Sequence, residues 1–351
     1  MKTDFNISNL IRENIKSLKP YSSARDEYKD ATTNEMIFLD ANENPFENGV
    51  NRYPDPHQND VKDLLSEIKD VSKENILLGN GSDEVLDLIF RAFCEPNVDN
   101  IITLPPTYGM YSVLANVNAI ENREVLLNDD FEPNVNAILQ KADAHSKILF
   151  LCSPNNPTGN SFTVSAVEKL LKNFNGLVVL DEAYIDFSEQ KSWLEKLDKF
   201  PNLIIIQTLS KAYGLAGIRL GTCYASKEII QVLKNIKPPY NVNELTQQRA
   251  VVRLQKIDEI YNEVAQLISE RKRLKKELEC CVNYIEKIYP SDGNFLLLKV
   301  DDATKRYHQL IEYGVVIRNR TNQPLCENCL RISVGICEEN QRLMRALKAI
   351  Q

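Results

Sequence analysis

The amino-acid sequence predicts an α/β protein with a mostly parallel central sheet, helices on both faces of that sheet, and a smaller α+β domain. The length of 351 residues suits two lobes, because single domains usually hold about 100–200 residues. From about residue 59 to 240, apolar runs of strand length alternate with segments of helical period. Such alternation is typical of parallel sheets covered by helices. After residue 243 the chain changes to longer, more charged helical segments.

Four short runs rich in Ile, Val and Leu are predicted to be strands buried on both faces. They span residues 101–104, 148–152, 177–180 and 203–206. Apolar residues recur at helical spacing in two earlier segments, at Val61, Leu64, Leu65 and Ile68 and at Val85, Leu86, Ile89 and Phe93.

The same patterns predict three segments. Residues 1–38 carry little sheet signal and are expected to form an N-terminal arm that packs on the small domain. Residues 39–242 are expected to form the large α/β domain, and residues 243–351 the small α+β domain. In the last segment, strands are predicted over 294–300 and 330–334, and helices near 302–313 and 338–350. One helical face is predicted to carry Val251, Leu254, Ile257 and Ile260.

Composition excludes several classes of function. A net charge of −7 argues against binding to nucleic acid or to an anionic membrane, since either would need a clustered basic surface. The first residues show no apolar signal region, and no apolar run approaches the ~20 residues of a membrane span. Eight scattered cysteines do not form a disulfide scaffold. We therefore expect a cytoplasmic protein.

Metal binding has little support in the sequence. None of the three histidines forms a zinc motif, and Cys326 and Cys329 form a single C-x-x-C without a second pair. We interpret these two cysteines as loop thiols and expect no metal site.

An acid and a lysine follow two neighbouring predicted strands. Asp181 comes directly after the run 177–180, and Lys211 follows 203–206. Open parallel sheets bind ligands beyond the carboxyl ends of their strands, so both side chains are expected at one rim. Taken alone, either residue is better interpreted as part of a salt bridge at the rim or as a solvated charge.

Two polar loops are expected at the same rim. The turn 79–83, which includes Gly81, Ser82 and Asp83, leads into a helix predicted to start near Glu84. Free backbone N–H groups at a helix N-terminus favour phosphate, although a simple helix cap would look the same. The loop 153–159 places Asn156 directly after a strand.

Together these features predict pyridoxal 5'-phosphate as the cofactor. That cofactor needs a lysine for a Schiff base, an acid facing its pyridine nitrogen, and a phosphate cradle. Lys211 and Asp181 are the candidates for the first two, and the released lysine can carry protons as a general acid and base. Arg219, eight residues after the lysine, would add a fixed positive charge for the phosphate.

Residues 210–219, SKAYGLAGIR, closely resemble the lysine motif of class I and II aminotransferases, which have the architecture called fold type I. Residues 153–159 and 181–184 resemble two further blocks of that family. More narrowly, four segments look like those of histidinol-phosphate aminotransferases, at 39–45, 51–55, 105–111 and 329–335. The blocks run in order from about residue 39 to 335.

The resemblance implies a role for each cofactor contact. Lys211 matches the Schiff-base lysine, Asp181 the partner of the pyridine nitrogen, and Tyr108 the aromatic ring stacked on the cofactor. Tyr184 and Asn156 match the residues that bond the phenolic oxygen. The implied phosphate contacts are Gly81, Ser82, Asp83, Ser210 and Arg219.

The resemblance also implies substrate contacts and a homodimer. Arg331 matches the arginine that clamps the substrate carboxylate with a bidentate fork. Arg318 resembles an arginine that holds the substrate phosphate, and Tyr21 resembles an N-terminal tyrosine that contacts the substrate. Asn156 matches a residue that contacts both the cofactor and the substrate. Tyr53 resembles the tyrosine that reaches the cofactor of the neighbouring subunit.

The implied activity is amino transfer from L-glutamate to imidazole-acetol phosphate, with L-histidinol phosphate and 2-oxoglutarate as products, in histidine biosynthesis. The motifs leave open an aminotransferase for aromatic amino acids or aspartate, and a threonine-phosphate decarboxylase. A catalytically silent binding protein of the same fold would typically have lost Lys211 or Asp181, and both are present.

Overall fold

The computed structural model describes residues 5–19, 21 and 37–351. Its α-helices are α1 (Glu13–Lys16), α2 (Asn59–Lys69), α3 (Gly81–Phe93), α4 (Met110–Val117), α5 (Val135–Lys141), α6 (Val164–Asn173), α7 (Lys227–Ile236), α8 (Glu244–Leu254), α9 (Ile257–Cys281), α10 (Ala303–Glu312) and α11 (Cys337–Ala349). Its strands are β1 (Ile76–Asn80), β2 (Asn100–Thr103), β3 (Glu121–Glu124), β4 (Ser146–Cys152), β5 (Leu177–Asp181), β6 (Leu203–Thr208), β7 (Leu220–Ala225), β8 (Ile285–Ile288), β9 (Phe295–Val300), β10 (Arg318–Asn319) and β11 (Cys329–Ser333). Among the described residues, no helix combines the length and apolarity that crossing a bilayer requires.

The large lobe is built on a seven-stranded sheet. Its strand order is β1-β7-β6-β5-β4-β2-β3. The pairs from β6 to β3 are parallel, whereas β7 runs antiparallel to both of its neighbours. The predicted mostly parallel sheet is therefore confirmed, with one reversed strand that the sequence analysis did not identify.

Both faces of this sheet are buried. In β5, Leu177 and Val179 join the apolar cluster on one face, and Val178 and Leu180 join the cluster on the other. Successive side chains of a strand point to opposite faces, so a run of apolar residues is buried throughout only when both faces are covered. Each fully buried side chain of this size contributes about 1.5–3 kcal/mol to the hydrophobic free energy of folding.

The small lobe contains a four-stranded antiparallel sheet in the order β10-β11-β9-β8. One face of it packs on its own core, which includes Leu298 and Leu330. Phe295, Leu297 and Cys329 belong instead to the core of the large lobe. The second face of the small sheet is therefore turned toward the large lobe, and the predicted smaller α+β unit is confirmed.

The chain continues to pack in the core of the large lobe beyond the domain boundary predicted between residues 242 and 243. In α8, Ala250 and Leu254 pack in the core of the large lobe. The Gln247 side chain also donates to the backbone carbonyls of Asp55 and Val242, at 3.0 and 2.9 Å. The predicted single helical face from 251 to 260 is divided between α8 and α9.

The described part of the N-terminal arm packs on the large lobe. Phe5, Ile7 and Leu10 lie against the apolar cluster that includes α3. The Arg12 N–H donates to the Ala92 carbonyl at 3.0 Å. The prediction that the arm packs on the small domain is wrong for this segment; residues 1–4, 20 and 22–36 lie outside the described residues.

Candidate active site

A cavity of about 210 Å³ lies at the carboxyl ends of β4, β5 and β6. Most of the side chains predicted to hold the cofactor line it together. They are Ser82, Asp83, Tyr108, Asn156, Asp181, Tyr184, Ser210, Lys211 and Arg219. The convergence follows from topology, because parallel strands direct the segments after their carboxyl ends to one edge of the sheet.

Asp181, the last residue of β5, is buried with 3% of its surface exposed. Burial raises its pKa from 3.8 to about 6, while hydrogen bonds from Tyr111 and from the Ala183 backbone oppose the shift. The Tyr111 hydroxyl donates to Oδ2 at 2.7 Å, and the Ala183 N–H donates to Oδ1 at 3.1 Å. A buried carboxylate held at both oxygens is suited to pair with a cationic ring nitrogen.

Lys211 follows β6 and opens to solvent through the cavity. The surrounding protein nevertheless partly desolvates the Lys211 amine. This desolvation lowers the pKa of Lys211, and the positive charges of Arg331 and Arg219 lower it further. A lowered pKa increases the fraction of neutral amine, which is the nucleophilic and basic form.

A glycine turn forms the opposite end of the cavity. The helix α3 begins at Gly81, three residues earlier than predicted, and Gly79 and Asn80 end strand β1. The first N–H groups of a helix have no partner within it, so those of Ser82 and Asp83 are suited to bind an anion.

Arg219 completes this end of the cavity. Its backbone carbonyl accepts from the Gly81 N–H at 2.8 Å. Its guanidinium donates to Ser210 Oγ at 3.3 Å and lies 3.6 Å from Asp83. Gly81 has a φ of +75°, a left-handed conformation that favours glycine, and a Cβ there would lie 2.6 Å from Arg219 Nη2.

Tyr108 lies on one wall of the cavity. Its hydroxyl donates to Asp83 Oδ1 at 3.0 Å, and its ring packs edge-on against Tyr111 with centroids 5.6 Å apart. Burial, followed by the Asp83 carboxylate, raises the pKa of Tyr108 well above 10. The side chain therefore presents a neutral ring to the cavity.

The two lobes meet at Asn156 and Arg331. The Arg331 guanidinium donates to Asn156 Oδ1. Its central carbon lies 5.2 Å from the centroid of the Phe295 ring, which in turn packs edge-on against Tyr184 at 5.1 Å. Arg331 is thereby placed beside the cavity, with its Nε buried and unpartnered among the described residues.

Three predicted residues lie away from the lining of this cavity. Tyr53 is 52% exposed and stacks on Tyr240, with centroids 4.5 Å apart. Arg318 is an exposed residue of β10, directly opposite Arg331. Tyr21 is 74% exposed. Their roles stay predictions.

Sequence analysis missed Tyr111, Ala183, Cys152 and Thr208. Tyr111 touches Asp181, and the other three line the cavity. Cys152 and Thr208 are the last residues of β4 and β6, so the rule that identified Asp181 applies to them as well. Tyr111 had no such signal beyond its spacing from Tyr108.

The residues present fit pyridoxal phosphate. The cavity brings together a buried carboxylate, a lysine with a lowered pKa and a neutral aromatic wall. A helix N-terminus with a fixed arginine, packed so closely that a Cβ on Gly81 would fill it, supplies the phosphate cradle. Among the described residues, no group of three or more His, Cys, Asp or Glu is arranged to hold a metal ion.

Comparison with known proteins gives matches to aminotransferases, in agreement with the residues of the cavity. The family described as Aminotransferase class I and II matches residues 27–350. Histidinol-phosphate aminotransferases of Flavobacterium johnsoniae and Bacteroides thetaiotaomicron are 66% and 54% identical, covering 99% and 100% of both chains. The solved structure of the Sinorhizobium meliloti histidinol-phosphate aminotransferase in complex with pyridoxal-5'-phosphate has a TM-score of 0.77 and 24% identity, and covers 85% of this chain and 82% of that chain.

Proposed function

The chain belongs to the class I and II aminotransferase family, and on that premise we propose that it transfers the amino group of L-glutamate to imidazole-acetol phosphate. The products are L-histidinol phosphate and 2-oxoglutarate, a step of histidine biosynthesis. The fold is fold type I and the cofactor is pyridoxal phosphate. The observation that carries the proposal is the convergence of Lys211, Asp181 and Arg219 on one cavity beside Arg331.

The residues at the two ends of the cavity would hold the cofactor. Asp181 would pair with the ring nitrogen. The backbone from Gly81 to Asp83, with Ser210 and Arg219, would bind the phosphate. Asn156 and Tyr184 would bond the phenolic oxygen, and Tyr108 would face the ring. When bound, pyridoxal phosphate supplies an electron sink for a substrate that loses its Cα proton.

Lys211 is the general acid and base of the proposed reaction. It would hold the cofactor between turnovers and, once released, would accept the proton of the substrate Cα and return it. Its lowered pKa favours the neutral amine that accepts this proton. Asp181, with hydrogen bonds at both oxygens, would supply the negative charge that faces the ring nitrogen.

The substrate contacts lie on the small lobe. Arg331, already oriented by Asn156, binds the carboxylate of glutamate. Arg318 is proposed to help hold the phosphate of histidinol phosphate, and Tyr21 to contact the substrate. Both substrates must use one site in turn, and guanidinium groups bind both carboxylate and phosphate.

We also propose a homodimer in which Tyr53 reaches the cofactor of the partner subunit. In support, Tyr53 is half-exposed and lines one surface pocket with Val50 and Leu245, two apolar side chains that face solvent in the single chain. Ile37, Leu39 and Phe46 are further large apolar side chains that face solvent. A cytoplasmic location is proposed from the composition of the sequence.

The experiment that tests the proposal compares amino donors. Histidinol phosphate, phenylalanine and aspartate are each supplied with 2-oxoglutarate, and glutamate formation is measured. The proposal predicts a strong preference for histidinol phosphate. A preference for phenylalanine or aspartate would contradict the substrate and leave the cofactor assignment standing. Release of carbon dioxide from threonine phosphate would instead indicate the decarboxylase.

A further inference from the structure

Three arginines share one face of the small sheet. Arg318 in β10 pairs with Arg331 in β11, and the Arg320 N–H donates to the Cys329 carbonyl at 2.8 Å. Residues two apart on a strand point to the same side, so Arg318 and Arg320 lie on the face of Arg331. Leu330, between Cys329 and Arg331, points the other way into the core of the small lobe.

This face is the one turned toward the cavity. Arg331 donates to Asn156, which lines the cavity. Burial raises the pKa of the neighbouring Tyr184 to about 12, and the positive charges of Arg331 and Arg320 oppose that shift. The register of the small sheet thus places Arg320 on the face of Arg331, and its charge acts on the Tyr184 hydroxyl of the cavity lining.

None of the three guanidinium groups has an ion-pair partner within residues 5–19, 21 and 37–351. The Nε atoms of Arg320 and Arg331 are both buried without a hydrogen-bond acceptor in that part of the chain. Arg306 differs, because Asp301 pairs with it at 2.7 Å.

Withdrawing a cation from water without a counter-charge is unfavourable. This applies to Arg320 and Arg331, which are partly buried, whereas Arg318 is exposed beside them. Converging arginines without acids are therefore expected where an anionic ligand supplies the missing charge. Three guanidinium groups are more than one carboxylate can pair with, because a single guanidinium fork already binds both of its oxygens. A phosphate monoester has three terminal oxygens and up to two negative charges.

We propose that Arg320 is a specificity-determining residue, which binds the phosphate monoester of the substrate together with Arg318 and Arg331. It favours that dianion over a carboxylate with a single charge. The inference rests on the proposed function and adds to it a residue that the family motifs did not indicate.

The test compares Arg320→Gln with Arg345→Gln in the cofactor-loaded enzyme. Arg345 is an exposed residue of α11, so its replacement removes one positive charge from the same lobe. For each protein the KM of histidinol phosphate, the KM of glutamate and the Kd of inorganic phosphate are measured. Arg320→Lys is included because it keeps the charge and loses the fork.

For Arg320→Gln, the KM of histidinol phosphate and the Kd of inorganic phosphate are expected to rise about tenfold or more. The KM of glutamate changes by less than about threefold, and kcat is largely kept. Arg320→Lys recovers part of the loss, and Arg345→Gln matches the unmodified enzyme. Equal changes in both KM values, or no change in phosphate affinity, would overturn the proposal.

Two further outcomes are separable. If Arg320→Gln does not fold, the comparison between Arg320→Lys and the unmodified enzyme decides: phosphate affinity must still fall. If the unmodified enzyme does not use histidinol phosphate, the proposed function fails, and the titration with inorganic phosphate alone decides the role of Arg320.

Discussion

The Tyr111 hydroxyl donates a 2.7 Å hydrogen bond to Oδ2 of Asp181. Tyr111 is fully buried, and its ring stacks on Phe150 with centroids 4.7 Å apart and an interplanar angle of 13°. The same ring meets Tyr108 edge-on. One rigid side chain therefore connects the aromatic wall of the cavity with the carboxylate at its far end, and it acts through these two residues as a positioning residue.

Replacing Tyr111 with Phe should raise the pKa of Asp181 above its value of about 6, because the ionised form loses a donor. The expected shift is about one to two pH units. A pKa raised on folding means that the folded protein binds more protons than the unfolded chain, so stability falls as pH rises. In the cofactor-free protein, this loss of stability should extend from about pH 4 to 6. In Tyr111→Phe it should continue to a higher pH.

The measurement is the free energy of unfolding as a function of pH. Tyr284→Phe serves as the control, since its hydroxyl donates to the Leu347 carbonyl at 3.2 Å, away from Asp181. The neighbouring charged and titratable groups Asp83, Lys211 and Cys152, and the buried Glu182, remain in both variants. If the loss of stability ended at the same pH in Tyr111→Phe and Tyr284→Phe, the role of Tyr111 would be contradicted.

Gly221 allows β7 to approach the phosphate cradle. A Cβ at this position would lie 2.2 Å from the Ser82 backbone nitrogen and 2.3 Å from the Gly81 carbonyl carbon. Backbone atoms cannot rotate away, so Gly221→Ala should displace the start of α3. We expect a loss of about 1–3 kcal/mol in the free energy of unfolding and weaker binding of the cofactor, measured by denaturant titration and by cofactor fluorescence.

Gly217→Ala is the matched control, because a Cβ there meets no atom within 4 Å. Its stability and cofactor affinity should stay close to those of the unmodified protein. Equal behaviour of the two variants would show that the cradle does not depend on the approach of β7.

The proposed dimer predicts complementation between two defective subunits. Tyr53→Phe should weaken cofactor binding, and Lys211→Ala should be inactive. In a mixed dimer, the site with an intact Lys211 receives Tyr53 from the other subunit. Mixing after dissociation should therefore restore activity at a limiting cofactor concentration. Activity that stays at the average of the two separate variants would contradict a shared site.

Lys211→Ala should lower turnover by at least about 10³-fold, since positioned acid–base catalysis contributes about 10²–10⁴ and the covalent attachment is lost as well. Lys227→Ala is the control, because Lys227 is exposed and paired with Glu74 on the surface. Turnover of glutamate with imidazole-acetol phosphate is the measurement. Near-normal turnover in Lys211→Ala would show that another group moves the proton.

Much of the catalytic centre could be predicted from strand ends. Asp181 and Lys211 follow apolar runs that are buried on both faces, and the topology of parallel strands alone brings them to one edge. The strand β7 escaped detection because its sequence, LGTCYA, mixes small, polar and apolar residues. Its antiparallel direction depends on pairing with β1 and β6, which no local pattern encodes.

Contacts between distant segments were the least predictable. The arm around Arg12 packs on α3 through an arginine that also reaches the Arg91 carbonyl and Glu95. The scattered apolar residues of this short segment do not indicate which surface they cover. The side of the sheet that Arg320 occupies was likewise unknown until the register of β10 against β11 was fixed. Tyr111 belongs to the segment 105–111, and nothing in that segment indicated its contact with Asp181.

The most direct test of amino transfer through Lys211 is borohydride reduction of the enzyme, followed by mass analysis of its peptides. The account predicts a pyridoxyl adduct on Lys211 in the resting enzyme, and loss of that adduct when glutamate is added before reduction. Adding imidazole-acetol phosphate after glutamate should restore it. An adduct on a different lysine, or one on Lys211 that glutamate does not remove, would contradict the account.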